Sequence, residues 1–129
     1  MASIFSKIVA GEIPCHKVHE SDEFLAFLDI MPVQKGHVLV VPKEEVDYIF
    51  DLEDALLSRM MLFAKEVAGK IKAVFPCDRV GVTVIGLEVP HAHIHLIPIN
   101  NLHDMDFTRE KLKLSSDELK SIAEKIAGA

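Results

Sequence analysis

Three histidines at alternate positions, His91, His93 and His95, sit in the run His91-Ala92-His93-Ile94-His95-Leu96-Ile97-Pro98-Ile99, directly after Val89-Pro90. Alternation with period two is the β-strand signature. The run therefore predicts a strand with all three imidazoles on one face and Ala92, Ile94 and Leu96 entering a core on the other. Same-face neighbours on a strand lie roughly 7 Å apart, close enough to serve different parts of one small ligand. A fourth histidine, His37, opens a second apolar run, Gly36-His37-Val38-Leu39-Val40-Val41-Pro42. It joins the cluster if it shares a face with Leu39 and Val41.

Three uses of such a cluster compete. Zinc takes imidazoles together with carboxylates or thiolates about 2 Å from one point, and the outer two histidines of a strand, roughly 14 Å apart, cannot meet that demand. A metal would have to recruit His37 or Cys15. Histidines decorating a solvated strand face are the second use. The third is nucleophilic attack on phosphorus. An imidazole with its ordinary pKa of about 6.5 is neutral and nucleophilic at physiological pH. Further imidazoles and turn N–H groups can fix its tautomer and hold phosphoryl oxygens without a metal.

The rest of the chain limits the partners. At 129 residues it is long enough for one domain, residues 1–129, with a core of its own. Half of it is hydrophobic, and the formal net charge of −6 argues against a general nucleic-acid binder or an anionic-membrane binder. A single nucleotide is compatible with that charge, since a few local groups can hold one phosphate. Cys15 and Cys77 form no CxxC pair and read as free thiols of a reducing compartment. No signal-peptide core follows Met1, and no apolar run reaches the roughly 18 residues needed to span a bilayer. The expectation is a cytoplasmic protein without membrane contact.

The elements that must position the histidines follow from periodicity. Ile4, Phe5 and Ile8 mark a short amphipathic helix over residues 3–10, stopped by Gly11. Lys17–Glu20 and Phe24–Ile30 flank Ser21-Asp22 as a hairpin. The run from Gly36 to Pro42 is apolar on both faces, as a central strand is. Leu56, Met60, Phe63, Val67, Ile71 and Val74 repeat at helical spacing, predicting a long helix from Asp51 or Glu53 to Phe75, ended by Pro76. Beside it runs a second apolar row, Leu57, Met61, Ala64 and Ala68, read as a surface for a partner subunit. A strand is expected over 78–85, turned by Gly86 into the histidine strand, and a last helix over 118–127 with Ser115 or Ser116 as N-cap. The sum is an α+β fold, a mainly antiparallel sheet of about five strands with one long helix and short N- and C-terminal helices.

The histidine run resembles the His-x-His-x-His-x-x signature of the histidine triad (HIT) superfamily. Residues 3–14, 24–30 and 36–43 are similar to that family's opening segment and next two strands, so the likeness covers nearly the whole chain. The branch resembled is that of the small histidine triad nucleotide-binding proteins. The resemblance implies a HIT-like fold, a homodimer, and hydrolysis of purine nucleoside phosphoramidates or acyl nucleotides with no required cofactor. Carried onto this chain, it makes His93 the nucleophile that forms a nucleotidyl-histidine intermediate. His95 and His37 would contact the α-phosphate and leaving group, with His91 orienting His93 from behind. Asp29 would take the ribose hydroxyls, and Ile4, Phe5, Ile8, Phe27 and Ile30 would wall the base.

Two departures from the family stand out. Before the triad, Gly86-Leu87-Glu88-Val89 has Leu87 where relatives carry a phosphate-holding Gln, and the preceding loop lacks an Asn. Backbone donors near Glu88 and Val89 are left to hold phosphate there. Where some bacterial members bind structural zinc, this chain has Ser3, Ser6 and Glu45, with only His91 retained, so adventitious zinc at the triad is the metal binding the sequence leaves open. The loss of phosphate-holding side chains keeps two alternatives open: a nucleotide-binding or sensing module with little turnover, and a dinucleoside polyphosphate hydrolase.

Overall fold

The computed structural model describes residues 2–129 as five strands, three α-helices and two 3₁₀ turns. In chain order the strands are β1 (Lys17–Glu20), β2 (Phe24–Leu28), β3 (Val38–Pro42), β4 (Arg79–Thr83) and β5 (Ile94–Ile99). They form one antiparallel sheet in the order β1-β2-β3-β5-β4. The helices are α1 (Ile4–Val9), α2 (Asp54–Val74) and α3 (Ser116–Ala127). Short 3₁₀ turns at Ile49–Asp51 and Leu102–Met105 carry no hydrophobic period that would have foretold them.

Both faces of the sheet centre are buried, which is why β2 and β3 read as continuous apolar runs. Phe24, Ala26 and Leu28 of β2, Val38 and Val40 of β3, and Ile94 and Leu96 of β5 point to one side. There they meet Met60, Phe63, Val67 and Ile71 of α2 and Leu119, Ile122 and Ile126 of α3. On the opposite side, Leu25, Phe27, Leu39 and Val41 form a smaller cluster closed by Phe5 of α1. That second face, thinly covered, is where a ligand has room.

Local signals set the helix ends. Ser3 caps α1 by accepting from the Ser6 N–H at 3.0 Å, and Gly11, at φ +81°, releases the chain after it. Ser115 caps α3 by accepting from Glu118 N–H at 3.1 Å, with Asp117 and Glu118 in the first turn.

Three expectations need correcting. The histidine strand begins only at Ile94, so His91 and His93 precede it in an irregular lead-in. Register explains this: Val40 pairs with Ile94, so the next partner along β3 is Pro42, which has no N–H to offer. On the other side β4 leaves the sheet after Thr83, two residues short of the expected end. Along α2 the second apolar row mostly serves the chain's own core: Ala64 is buried, and Leu57 and Ala68 pack half-buried against it. Met61 alone stays exposed in that row. A run of exposed apolar side chains lies on the edge strand β4 and the loop after it, at Val82, Val84, Ile85 and Leu87.

Candidate active site

The irregular lead-in is held by named bonds. Ala92 N–H donates to the Val46 carbonyl at 2.7 Å, and His91 N–H donates to the Val89 carbonyl at 2.8 Å. The fully buried His91 ring is clasped at both nitrogens, by the Pro42 carbonyl at 2.8 Å and by Ser3 Oγ at 2.7 Å. A carbonyl only accepts, so His91 Nε2 carries the proton and Nδ1 accepts from the Ser3 hydroxyl. The hydroxyl in turn accepts from Ser6 N–H. The Glu45 carboxylate accepts from Ser6 Oγ at 2.7 Å and from the Ser3 N–H, and these bonds pull its pKa down to about 2.

The same logic fixes the other imidazoles. His93 Nδ1 lies 2.7 Å from the His91 carbonyl and must donate to it, which leaves Nε2 with its lone pair free. His37 Nδ1 accepts from the Val33 N–H at 3.2 Å, so its proton is on Nε2 and is donated to His95 Nδ1 at 2.9 Å. His95 therefore presents an Nε2–H donor. Burial, reinforced by the neighbouring imidazoles, holds His37 far below the ordinary histidine range, at about 3, and His95 at about 4. His93 is also lowered by burial, partly offset by its bond to the His91 carbonyl. At neutral pH His93 and His95 present one lone pair beside one N–H donor, with the rings of His37, His93 and His95 uncharged.

These rings line a cleft of about 630 Å³, within the range of small-molecule sites. His37, His93, His95, Asp29, Phe27, Phe5, Ile4, Ile8, Ile30, Glu88 and Val89 all contribute to its wall. Only His91, of the residues singled out from sequence, stands behind the wall. Its imidazole faces Ser3 and Pro42, and its link to His93 runs through its backbone carbonyl. Phe5 stacks edge-on against His93 at 4.9 Å and Phe27 at 5.6 Å, so it serves core and cleft together. Ile4 and Ile30 are exposed at 50% and 64% while lining the cleft, which suits an apolar rim better than a core. The Asp29 carboxyl, raised by burial, accepts from the Met31 N–H at 2.9 Å and has Oδ2 3.7 Å from His37 Nε2. Leu87 is almost wholly exposed at the cleft edge, after Gly86 at φ +74°.

Sequence reasoning missed one wall. The Phe107 ring lies 5.0 Å from His95 and 5.9 Å from His37, and Lys111 sits beside it. Arg109 fastens this segment by bonding the Val33 carbonyl and Gln34 Oε1, the latter at 2.9 Å, and Leu112 N–H donates to the Pro32 carbonyl. The one hint was an aromatic residue in an otherwise polar stretch between 106 and 111.

Two places bear on metals. Asp29, His37 and His95 offer ligand atoms within 4.8 Å of one another. For His37 Nε2 to ligate a cation, its proton would have to move to Nδ1, where the Val33 N–H already points. The donor set is thus opposed by the backbone that orients it. Ser3, Ser6, Glu45 and His91 do come together, but as a hydrogen-bonded cluster of two hydroxyls, one carboxylate and one imidazole. Without thiolates this is a poor zinc donor set.

A model of the HIT domain matches residues 10–102. The adenosine 5'-monophosphoramidase of Schizosaccharomyces pombe is 35% identical over 133 residues, covering 98% of this chain and 97% of that protein. Among solved structures, a Hit-like protein of Bartonella henselae superimposes with a TM-score of 0.85 at 29% identity, over 98% of this chain and 94% of that one. A zinc-bound histidine triad family protein of Mycobacterium smegmatis shares the fold with a TM-score of 0.83 at 23% identity, over 99% of this chain and 92% of that one.

Proposed function

The chain belongs to the HIT domain family, and from that premise we propose that it is a nucleotidyl hydrolase acting on a purine nucleotide joined through its α-phosphate to an amine or acyl group. The carrying observation is the pair of backbone-fixed tautomers: His93 keeps a free Nε2 lone pair on the cleft wall, and His95 offers an Nε2–H next to it. The name and 35% identity of the fission-yeast relative support the choice of phosphoramidates.

In this reading the base enters between Ile4, Phe5, Ile8, Phe27 and Ile30, and Asp29 accepts from the ribose hydroxyls. His93 Nε2 attacks the α-phosphorus, forming an N–P bond as the bond to the leaving group breaks. Backbone donors at Glu88 and Val89 hold phosphoryl oxygens. The His95 Nε2–H hydrogen-bonds to the departing amine nitrogen, which takes a proton from solvent as the bond to phosphorus breaks, and the water of the second displacement returns one. Water attacks the nucleotidyl-histidine in a second displacement, releasing the nucleotide monophosphate and freeing His93. One water is consumed overall, and no metal enters either step.

The protein also acts as a homodimer in this reading. The support is the edge position of β4, whose outer N–H and C=O groups have no strand partner among the described residues, together with the exposed Val82 and Val84 beside them.

The deciding experiment is turnover of an adenosine phosphoramidate by wild type and His93→Ala, with intact-mass detection of a nucleotidyl adduct in a variant slowed at hydrolysis. Loss of turnover in a folded His93→Ala protein and an adduct on His93 are expected. Full activity in that variant refutes the proposal, and tight AMP binding without turnover of any phosphoramidate makes the chain a binding module instead.

A further inference from the structure

The charge inside the cleft is unbalanced for a phosphate ligand. Among the described residues that line it, the acidic groups are Asp29 and Glu88, and the three imidazoles are held neutral by burial. Lys111 is the one lysine or arginine among the described residues that line it. It comes from the segment after residue 102, beyond the part of the chain that the family model matches.

The surroundings of Lys111 are those of a cation held ready. Its Nζ donates to the Phe107 carbonyl and, at 3.5 Å, to the Arg109 carbonyl, and it stands 5.6 Å from the centre of the Phe107 ring. That ring is the one packed against His95 and His37. The residue is half-buried, yet among the described residues no carboxylate lies within ion-pair distance of it. Two carbonyls use two of its three donors and leave a third. Carbonyls and an aromatic face orient an ammonium without neutralising it, so its charge stays available to an anion in the cleft.

Resting on the nucleotidyl hydrolase reading, we propose that Lys111 is a substrate-binding residue that pairs with the phosphoryl group of the bound nucleotide. It supplies from the tail the charge that the turn Gly86-Leu87-Glu88-Val89 does not supply from side chains. The Leu87 side chain offers no donor and that of Glu88 is acidic, so a cation on the wall of the same cleft offsets both. The anchor of Arg109 on Val33 and Gln34 has a role here as well. It fixes the Lys111 segment to the same loop whose Val33 N–H sets the His37 and His95 tautomers.

The test is calorimetric binding of AMP and of adenosine to wild type, Lys111→Met and Lys111→Arg, with thermal melts of all three. Lys111→Met is expected to weaken AMP by about ten- to hundredfold, as loss of a charge-assisted contact does, and to leave adenosine within about twofold. Lys111→Arg keeps most of the AMP affinity. Added salt should weaken AMP binding to wild type more than to Lys111→Met. Equal loss of AMP and adenosine means the residue merely supports the segment, and overturns the proposal. So does unchanged AMP affinity, including the case where only phosphoramidates with a carboxylate-bearing leaving group lose kcat/KM. A wild-type protein that binds neither ligand refutes the nucleotide reading itself, whereas wild-type binding that Lys111→Met matches refutes only the role of Lys111.

Discussion

Acid should unfold this protein through its histidine cluster, and the size of the effect follows from the two most shifted imidazoles. An unfolded histidine titrates near 6.5, whereas folded His37 and His95 are held at about 3 and about 4. Between those limits the unfolded chain binds protons that the folded chain refuses, so stability falls as pH falls. Lowering pH from 7 to 5 protonates nearly all of each unfolded imidazole and little of each folded one. The two together then withdraw about 4 kcal/mol, a large share of the roughly 5–15 kcal/mol that holds a typical domain. The Glu20 and Glu45 carboxylates, both held at about 2 by their hydrogen bonds, lose their contribution only as pH falls below about 4.5, outside this window. Urea unfolding at fixed ionic strength between pH 5 and 7 gives the slope directly. Near pH 5 it should correspond to at least two protons taken up on unfolding, with His93 adding in the same direction, and should drop by about one in His37→Gln. The variant is less stable at every pH, but the slope and not the level is the readout. A flat profile between pH 5 and 7, or a slope unchanged in His37→Gln, refutes the assignment of neutral, buried imidazoles.

Three further outcomes are expected. Gly36→Ala places a Cβ 2.9 Å from the Phe75 ring at a φ of +90°, and should lower stability by about 1–3 kcal/mol in urea melts, with no change in the AMP-binding stoichiometry. Glu45→Ala removes the acceptor that ties Ser3 and Ser6 of the α1 end to the His91 region; KM for a phosphoramidate should rise several-fold while the melting temperature falls by only a few degrees, measured by steady-state kinetics and calorimetry. Val82→Lys puts a charge in the middle of the exposed edge strand and should shift sedimentation from dimer to monomer; an unchanged sedimentation coefficient removes β4 as the interface.

Much of the frame was legible because it rests on periodicity. The runs 24–28 and 38–42 are buried on both faces, as their continuous apolar character demands, and the row from Leu56 to Ile71 covers the sheet. Ser115 caps the last helix as its position suggested, while Ser3, expected inside the first helix, is its cap. What periodicity missed depends on bonds between segments distant in sequence. The alternation of His91, His93 and His95 is real, but Pro42 denies the first two a ladder partner, so the pattern of a strand occurs in a loop. The second row of α2 looked like an interface because sequence does not say that α3 and the sheet already cover Ala64 and its neighbours. Phe107 and Lys111 were invisible for a similar reason. They lie in a stretch with no hydrophobic period, and only Arg109 and Leu112, bonding back to residues 32–34, bring them to the cleft.

The irregular path of the triad has a chemical consequence that a regular strand would lack. In a ladder the carbonyls and N–H groups of residues 91–93 would be spent on neighbouring strands. Here the His91 carbonyl is free to take the His93 proton, and the Val33 N–H, in a loop, is free to point at His37. Because a carbonyl only accepts and an amide N–H only donates, these two contacts leave each ring one neutral tautomer. The two assignments agree with each other, since His95 must accept from His37 and therefore donate toward the cleft. Burial then keeps the rings uncharged until an anion arrives. A nucleophile and a proton donor side by side would ordinarily quench each other by proton exchange. Here exchange would set the His91 carbonyl against a bare ring lone pair and the Val33 N–H against a ring N–H, losing two buried hydrogen bonds at roughly 1–3 kcal/mol for each unsatisfied group. The opposite tautomers of His93 and His95 are therefore a property of the loops around them, and substitutions that move Val33 or the His91 carbonyl should disturb them even with all four histidines in place.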